Sequence, residues 1–134
     1  MLRNIAIVAT LFHREKVEVM IKEAKTTAKE ENLKVVKEIW VPGCYEVPLM
    51  LKHLLTTSNI DGAVVLGIIE RGETKHGLVM GIVVHNAIVD LELKLNKPVG
   101  MAILGPEILP KQIPSRLKPY AKRSVLAIKE MFKI

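Results

Sequence analysis

The amino-acid sequence predicts an α/β fold in which four parallel β-strands alternate with four α-helices. Short segments rich in β-branched and other apolar residues, which are typical of buried strands, recur along the chain. Between them lie longer segments whose apolar residues recur every three or four positions, as in helices with one buried face. The chain has 134 residues, of which 49% are hydrophobic, so residues 1–134 suit a single domain with a sizeable core.

The first half of the chain contains two predicted strand–helix units. Arg3–Thr10 is a short apolar segment that predicts a buried strand, and Arg14–Asn32 has apolar residues at helical spacing. Leu33–Trp40 predicts the second strand. After a turn marked by Pro and Gly, Val47–Thr57 predicts a short helix, and Pro48 is tolerated in its first turn.

The second half of the chain contains two further units. Asp61–Ile69 is the most strand-like stretch of the sequence, and the long apolar segment Lys75–Leu95 predicts a helix. A fourth strand is predicted over residues 97–103, and Gly105-Pro106 is expected to break it. The last helix is predicted over residues 119–133, because a proline suits the first helical position.

This order of elements predicts a three-layer αβα sandwich with a flavodoxin-like four-stranded parallel sheet. The strand order 2-1-3-4 is the simplest one that keeps the crossovers right-handed. In such sheets, ligands bind beyond the carboxyl ends of the strands. The sequence predicts those ends in four segments: Thr10–His13, Val41–Glu46, Glu70–His76 and Leu104–Pro110.

The composition argues against several classes of protein. The chain has a single cysteine, Cys44, so no disulfide can form within it, and we expect a reducing, cytoplasmic location. No apolar run reaches the roughly 18 residues of a membrane span, and no signal peptide is predicted. The zinc motifs C-x-x-C and H-E-x-x-H are missing from the sequence. We therefore expect neither a membrane protein nor a metal site.

The positive charge is concentrated near the C-terminus. The formal net charge is +6, and residues 111–133 carry seven basic side chains and one acidic side chain. Three interpretations remain open: a nucleic-acid-binding face, a site for a small anion such as a phosphate ester, and a solvated helix face. Aromatic residues make up only 4% of the chain, which argues against the first interpretation.

The segment Glu70–His76 combines features of an anion site and of a proton carrier. It follows the strongest predicted strand and opens a helix, so backbone N–H groups near Gly72, Glu73 and Thr74 could bind an anion. His76 lies at the start of that helix, and an imidazole exchanges protons near neutral pH. An ordinary capped helix start with solvated charges is the alternative interpretation.

Four further residues follow the first and second strands. Glu46 precedes a helix, where its carboxylate could either cap that helix or accept hydrogen bonds from a substrate. Cys44 has no histidine near it in sequence and is interpreted as a small apolar residue rather than a nucleophile. Phe12 could stack on a flat heterocycle or make a core contact, and His13 beside it is assigned no role.

These segments resemble the motifs of the lumazine synthase family, and the resemblance covers nearly the whole chain. The family has Phe-Asn after the first strand, V-P-G-x-[FY]-E after the second and R-G-E-T-x-H after the third. The matching residues here are Phe12-His13, Val41–Glu46 and Arg71–His76. The C-terminal part is similar to that of archaeal members through Gly105-Pro106-Glu107 and, further on, Gln112, Arg116, Lys122 and Arg123.

The resemblance implies an enzyme of riboflavin biosynthesis that needs no metal or other cofactor. It would condense 5-amino-6-(D-ribitylamino)uracil with 3,4-dihydroxy-2-butanone 4-phosphate to give 6,7-dimethyl-8-ribityllumazine, water and phosphate, the penultimate step. The general acid/base would be His76. The ribitylaminouracil would contact Phe12, Cys44, Tyr45, Glu46, Ile68, Ile69, Glu70 and Met101. The butanone phosphate would contact Gly72, Glu73, Thr74, Arg116 and Lys122.

The resemblance also implies a homo-oligomer. Family members form pentamers, and in many of them twelve pentamers close into an icosahedral shell of 60 subunits. Adjacent subunits would share each active site, because Met101 and Arg116 match positions that the neighbouring subunit contributes. The other partners would be small-molecule substrates, with no nucleic acid and no membrane.

Three residues depart from the family pattern. His13 replaces the usual Asn, Met101 stands where an aromatic residue is common, and Gly77 after His76 is expected to loosen the helix start. The alternative function is a non-catalytic flavodoxin-like module that binds a flavin or pterin through the same loops. His76 together with an anion loop and Arg116 favours the enzyme, because a pure binding protein needs no proton carrier.

Overall fold

The computed structural model describes residues 2–134 and contains the predicted alternation of strands and helices. The first half comprises β1 (Arg3–Thr10), α1 (Arg14–Glu30), β2 (Leu33–Val41) and α2 (Val47–Leu55). The second half comprises β3 (Gly62–Glu70), α3 (His76–Leu95), β4 (Val99–Ile108) and α4 (Leu117–Met131). Single turns of 3-10 helix lie at Cys44–Glu46, Pro110–Gln112 and Pro114–Arg116.

The four strands form one parallel sheet in the order β2-β1-β3-β4. Helices α1 and α4 cover one face of this sheet, and α2 and α3 cover the other. Because β3 is a central strand covered on both faces, its residues from 62 to 69 are all buried. The predicted three-layer, flavodoxin-like fold is confirmed.

The side chains of β3 divide between two hydrophobic clusters. Leu66 and Ile68 pack toward α1 and α4, whereas Val65 and Ile69 pack toward α2 and α3, since successive side chains of a strand point to opposite faces. Full burial of a Leu or Ile side chain contributes about 1.5–3 kcal/mol. Because Ile68 and Ile69 both belong to the core, only their backbone atoms are available at the sheet edge.

Most predicted boundaries differ from the structure by at most two residues, and three of the differences have a clear physical reason. Gly105-Pro106 does not break β4, which continues to Ile108 because Glu70 pairs with Ile108 beyond a register shift. An edge strand tolerates a proline, since one side of it needs no N–H donor. Glu70 itself is the last residue of β3 rather than part of a loop. Helix α4 begins at Leu117, so Pro119 occupies its third position, where the N–H group has no partner within the helix.

Helix α3 keeps an apolar face in solvent. Its buried residues are Gly81, Val84 and Ile88, whereas Ile82 and Val83 are half exposed, at 55% and 50%. Four further large apolar side chains of α2 and α3 are also exposed: Leu49, Val79, Val89 and Leu93. Within residues 2–134, α3 and the other helices are too short or too polar to cross a membrane.

Candidate active site

The carboxyl ends of β1, β2 and β3 bring three loops together. Leu11 N donates a hydrogen bond of 2.9 Å to Val41 O, which joins the first loop to the second. The Tyr45 and His76 rings, whose centroids are 6.2 Å apart, join the second loop to the third. We call the group of side chains at this edge the rim cluster, and its members are Phe12, His13, Tyr45, Glu46, Glu70 and His76.

The first loop contributes Phe12 and His13. The Phe12 ring is 50% exposed, so the alternative in which it is a core residue is not supported. His13 adopts the left-handed conformation, with φ at 56°, immediately before α1. Apart from Gly, the residues that occupy this region most readily are Asn, Asp and His. A histidine can therefore stand where the family usually has asparagine.

Sequence reasoning missed the role of the His13 side chain. His13 Nε2 lies 3.0 Å from Glu70 Oε1, and its ring centroid lies 4.3 Å from that of Phe12. Because a carboxylate oxygen only accepts hydrogen bonds, His13 Nε2 is the donor. No local pattern could have revealed this pair, since the two residues are 57 positions apart and meet only through the pairing of β1 with β3.

The second loop places Cys44 beneath the rim cluster. A Cβ atom on Gly67 would lie 2.9 Å from Thr10 Oγ1 and 3.4 Å from Cys44 Sγ, so the absent side chain lets these groups pack together. Burial of Cys44, and then the charge of Glu46, raise the pKa of the thiol to about 12. The sulfur therefore stays protonated at neutral pH, which supports its interpretation as an apolar residue rather than a nucleophile.

Glu46 lies in the same loop and keeps its carboxylate free of the helix it precedes. It occupies the N-cap position of α2, but its side chain makes no capping hydrogen bond there. The Glu46 side chain is exposed, and its Oε1 would lie 3.4 Å from a Cβ atom on Gly43. The geometry therefore does not support the capping interpretation, and the carboxylate is open to a ligand.

The third loop is an exposed segment that leads into a twenty-residue helix, α3. Lys75 rather than the adjacent Thr74 holds the N-cap position of α3. The Thr74 hydroxyl nevertheless accepts a hydrogen bond of 3.3 Å from His76 N. No atom lies within 4 Å of a Cβ built on Gly72, so the space in front of the loop is open. The free N–H groups of a helix start attract anions to such a space.

Gly77 lies at a close contact between α3 and β3. A Cβ atom at this position would lie 3.2 Å from both Glu70 O and Ile69 Cγ2. The absence of a side chain therefore lets the first turn of α3, which begins at His76, pack closely against the end of β3. Whether Gly77 also loosens the helix start stays a prediction.

Three predicted site residues lie away from the rim cluster. Arg116 lines a cavity of about 280 Å³ beside β4, together with Glu107, Gln112 and Tyr120. Its Nη1 donates a hydrogen bond of 2.8 Å to the backbone oxygen of Gln112. Met101 is half-buried within β4, and Lys122 is exposed on α4. Within residues 2–134, no hydrogen bond or ion pair links these three side chains to the rim cluster.

Larger concavities occur elsewhere on the chain. One of about 620 Å³ runs along β2, and one of about 530 Å³ lies at the amino end of the sheet, near Pro98 and Phe132. Neither is lined by a rim-cluster residue. The convergence of chemically useful groups, rather than the depth of a cavity in one chain, therefore identifies the candidate site.

The loop after β3 is also attached to β4, a contact that the sequence did not reveal. Arg71 N donates a hydrogen bond of 2.8 Å to Ile108 O, and Arg71 Nε lies 3.6 Å from Glu107 Oε2. Glu107 has φ at 67°, a conformation that is uncommon outside glycine. The extension of β4 beyond Pro106 thus supports one end of the candidate anion loop.

Comparisons with known proteins agree with these motifs. The family model for 6,7-dimethyl-8-ribityllumazine synthase matches residues 3–134. A protein of that name from Metallosphaera sedula is 37% identical over 122 residues, which cover 91% of this chain and 81% of the relative. Another from Staphylothermus marinus is 33% identical over 128 residues, covering 96% of this chain and 85% of the relative. The chain therefore belongs to the 6,7-dimethyl-8-ribityllumazine synthase family, as its archaeal-type motifs predicted.

Proposed function

We propose that this protein condenses 5-amino-6-(D-ribitylamino)uracil with 3,4-dihydroxy-2-butanone 4-phosphate to form 6,7-dimethyl-8-ribityllumazine. The observation that carries this proposal is the meeting of Tyr45 and His76 at one edge of the sheet. These residues belong to the two most specific motifs of the sequence, Val41–Glu46 and Arg71–His76. Membership of the family supports the same reaction.

The rim cluster supplies groups suited to the ribitylaminouracil. The exposed ring of Phe12 can stack on the pyrimidine. The Glu46 carboxylate and the backbone groups of Cys44 and Tyr45 can bind the ribityl hydroxyls. The backbone of Ile68 and Ile69 lines the edge on which the heterocycle would lie, because both side chains are buried in the core.

The loop after β3 supplies groups suited to the phosphate ester. Backbone N–H groups of Gly72, Glu73 and Thr74 precede α3, whose free amino end favours an anion. A phosphate also requires cations, and within residues 2–134 no hydrogen bond or ion pair joins Arg116 or Lys122 to this loop. We therefore propose that an adjacent subunit supplies Arg116 and Lys122, together with Met101, to each site.

The exposed face of α3 supports such an assembly. Apolar side chains that are half exposed in one chain, such as Ile82 and Val83, lose contact with water when a second copy covers them. We propose a pentamer as the basic assembly, with the 60-subunit shell as its larger form. The lone buried thiol of Cys44 suits a reducing environment, and we propose a cytoplasmic location.

The proposed chemistry begins when the 5-amino group of the uracil attacks the ketone and forms a carbinolamine. Loss of water gives an imine, elimination releases phosphate, and attack by the ribitylamino nitrogen closes the second ring, with further loss of water. His76 would carry protons in these steps, since imidazole both donates and accepts protons near neutral pH. Binding both substrates together can lower the barrier by about 7–11 kcal/mol.

The proposal is tested by mixing the purified protein with both substrates and following the absorbance and fluorescence of the lumazine. We expect product to form much faster than the spontaneous background, and more slowly with His76→Ala. A folded, assembled protein with no activity above background would contradict the proposal. A flavin that copurifies with such an inactive protein would instead favour the non-catalytic binding module.

A further inference from the structure

His13 contacts two members of the rim cluster at once. Its Nε2 donates to Glu70 Oε1 at 3.0 Å, which ties the loop after β1 to the end of β3. Its ring also lies against the Phe12 ring, with centroids 4.3 Å apart and planes inclined by 57°. The His13 and Glu70 side chains are only 23% and 27% exposed, so solvent screens this pair incompletely.

The His13 contact occupies one oxygen of the Glu70 carboxylate. Within residues 2–134, only Oε1 takes part in a hydrogen bond, and Oε2 is available to a ligand. A carboxylate oxygen accepts hydrogen bonds and cannot donate them while it is ionised. The fitting ligand group is therefore a hydrogen-bond donor, and an N–H of a uracil ring is one.

The contacts of the His13 ring are with residues outside the helix that His13 precedes. The residue adopts φ of 56° and ψ of 44°, and its side chain contacts Glu70 at the end of β3. Its side chain makes no capping hydrogen bond to α1, although its backbone oxygen accepts from Lys16 N and Val17 N. The ring is thus committed to Phe12 and Glu70 rather than to the local helix.

We propose that His13 is a positioning residue that fixes Glu70 and Phe12 so that Glu70 Oε2 accepts a hydrogen bond from a ring N–H of the ribitylaminouracil. This inference rests on the proposed function for the identity of the ligand. It makes Glu70 a specificity-determining residue for the heterocycle. The phosphate ester does not use the pair, because the candidate anion loop begins after Glu70.

Two variants of His13 distinguish the effect of side-chain length from the effect of backbone conformation. In His13→Asn, the side chain tolerates the left-handed conformation but is too short to place a donor at the Nε2 position. In His13→Gln, the amide nitrogen extends about as far as Nε2 does. Glu70→Gln, alone and combined with His13→Asn, completes a double-mutant cycle.

The measurement is calorimetric binding of the ribitylaminouracil alone, with inorganic phosphate as the matched control ligand and with assembly checked by gel filtration. We expect His13→Asn to weaken ribitylaminouracil binding about tenfold, as for loss of a charge-assisted contact, while phosphate binding changes less than about twofold. His13→Gln should recover most of the affinity. In the double variant, the loss should be smaller than the sum of the single losses.

Unchanged ribitylaminouracil affinity in His13→Asn would overturn the inference, as would equal weakening of both ligands accompanied by a lower melting temperature. The latter result would mean that the pair only ties two strands together. Because binding is measured without turnover, these outcomes do not depend on whether the protein is catalytically active. An inactive protein that still shows the expected affinity pattern would count against the proposed function alone.

Discussion

The rim cluster and the cavity lined by Arg116 differ in how far the contacts of one chain complete them. The rim cluster forms through contacts within the chain, including the His13–Glu70 pair and the Tyr45–His76 approach. Arg116 instead donates to its own neighbour Gln112 in a cavity beside β4. Within residues 2–134, no hydrogen bond or ion pair joins Arg116 to the rim cluster. This difference is the reason for proposing that an adjacent subunit supplies the phosphate cation.

The largest expected effect comes from blocking assembly through α3. Val83→Glu places a charge on the exposed apolar face, where the isolated chain tolerates it but a covered interface does not. We expect a folded, smaller species by analytical ultracentrifugation, with unchanged circular dichroism and nearly complete loss of lumazine synthesis. The matched control is Val19→Glu on α1, where the valine is 37% exposed. An unassembled Val83→Glu variant with full activity would mean that one chain contains the whole site.

Loss of the proton carrier should have the next largest effect. His76→Ala removes the imidazole from the start of α3 but leaves the binding loops in place. We expect kcat to fall roughly 100-fold, the lower end of the range for general acid–base catalysis, with substrate proximity preserving a residual rate. Steady-state kinetics on the assembled variant checks this value. A rate equal to the spontaneous background would contradict the large contribution assigned to proximity.

Removal of Arg116 should affect the two substrates unequally. Arg116→Ala is expected to raise the KM for the butanone phosphate by about tenfold or more, since a charge-assisted contact to phosphate is lost. The KM for the ribitylaminouracil should change little, because the rim cluster stays intact. Arg123→Ala is the matched control, since Arg123 lies over the Tyr120 ring on the same helix. Equal increases in both KM values would contradict a phosphate-specific role.

The smallest expected effect concerns stability at high pH. The folded chain retains the Cys44 proton up to a pKa of about 12, whereas the unfolded thiol loses it near its ordinary value of 9.0. The unfolded state therefore binds fewer protons between these values, and the free energy of unfolding falls there by about 1.4 kcal/mol per pH unit. Urea denaturation at several pH values should show this slope, with a shallower slope in Cys44→Ala. Identical pH slopes for the original protein and Cys44→Ala would mean that the thiol is not buried away from water in the folded chain.

The fold could be predicted because most strands and helices are marked by the residues of their own segments. The bounds of β1 match the prediction, since a short run of apolar and β-branched residues is typical of a buried strand. The end of β4 was mispredicted, because pairing of Glu70 with Ile108 carries the strand past a proline that favours a turn locally. Tertiary pairing therefore overrode local preference at this position.

The candidate site was predicted in part. The motifs Val41–Glu46 and Arg71–His76 are each contiguous, so the sequence alone assigns half of the rim residues to strand ends. The His13–Glu70 and Arg71–Glu107 contacts depend on strand register and on left-handed residues, neither of which a single sequence reveals.

The most direct test of shared sites is complementation between two impaired variants, assayed at a butanone phosphate concentration well below the raised KM of Arg116→Ala. His76→Ala and Arg116→Ala chains are coexpressed in equal amounts, and mixed assemblies are purified through different tags on the two variants. If adjacent subunits complete each site, random mixing gives about one quarter of the sites both an intact His76 and an intact Arg116, with activity to match. If one chain provides both residues, no site in the mixture is intact, and activity stays at the level of the parent variants. Recovery of activity is the result we predict, and its absence in verified mixed assemblies would contradict the shared site.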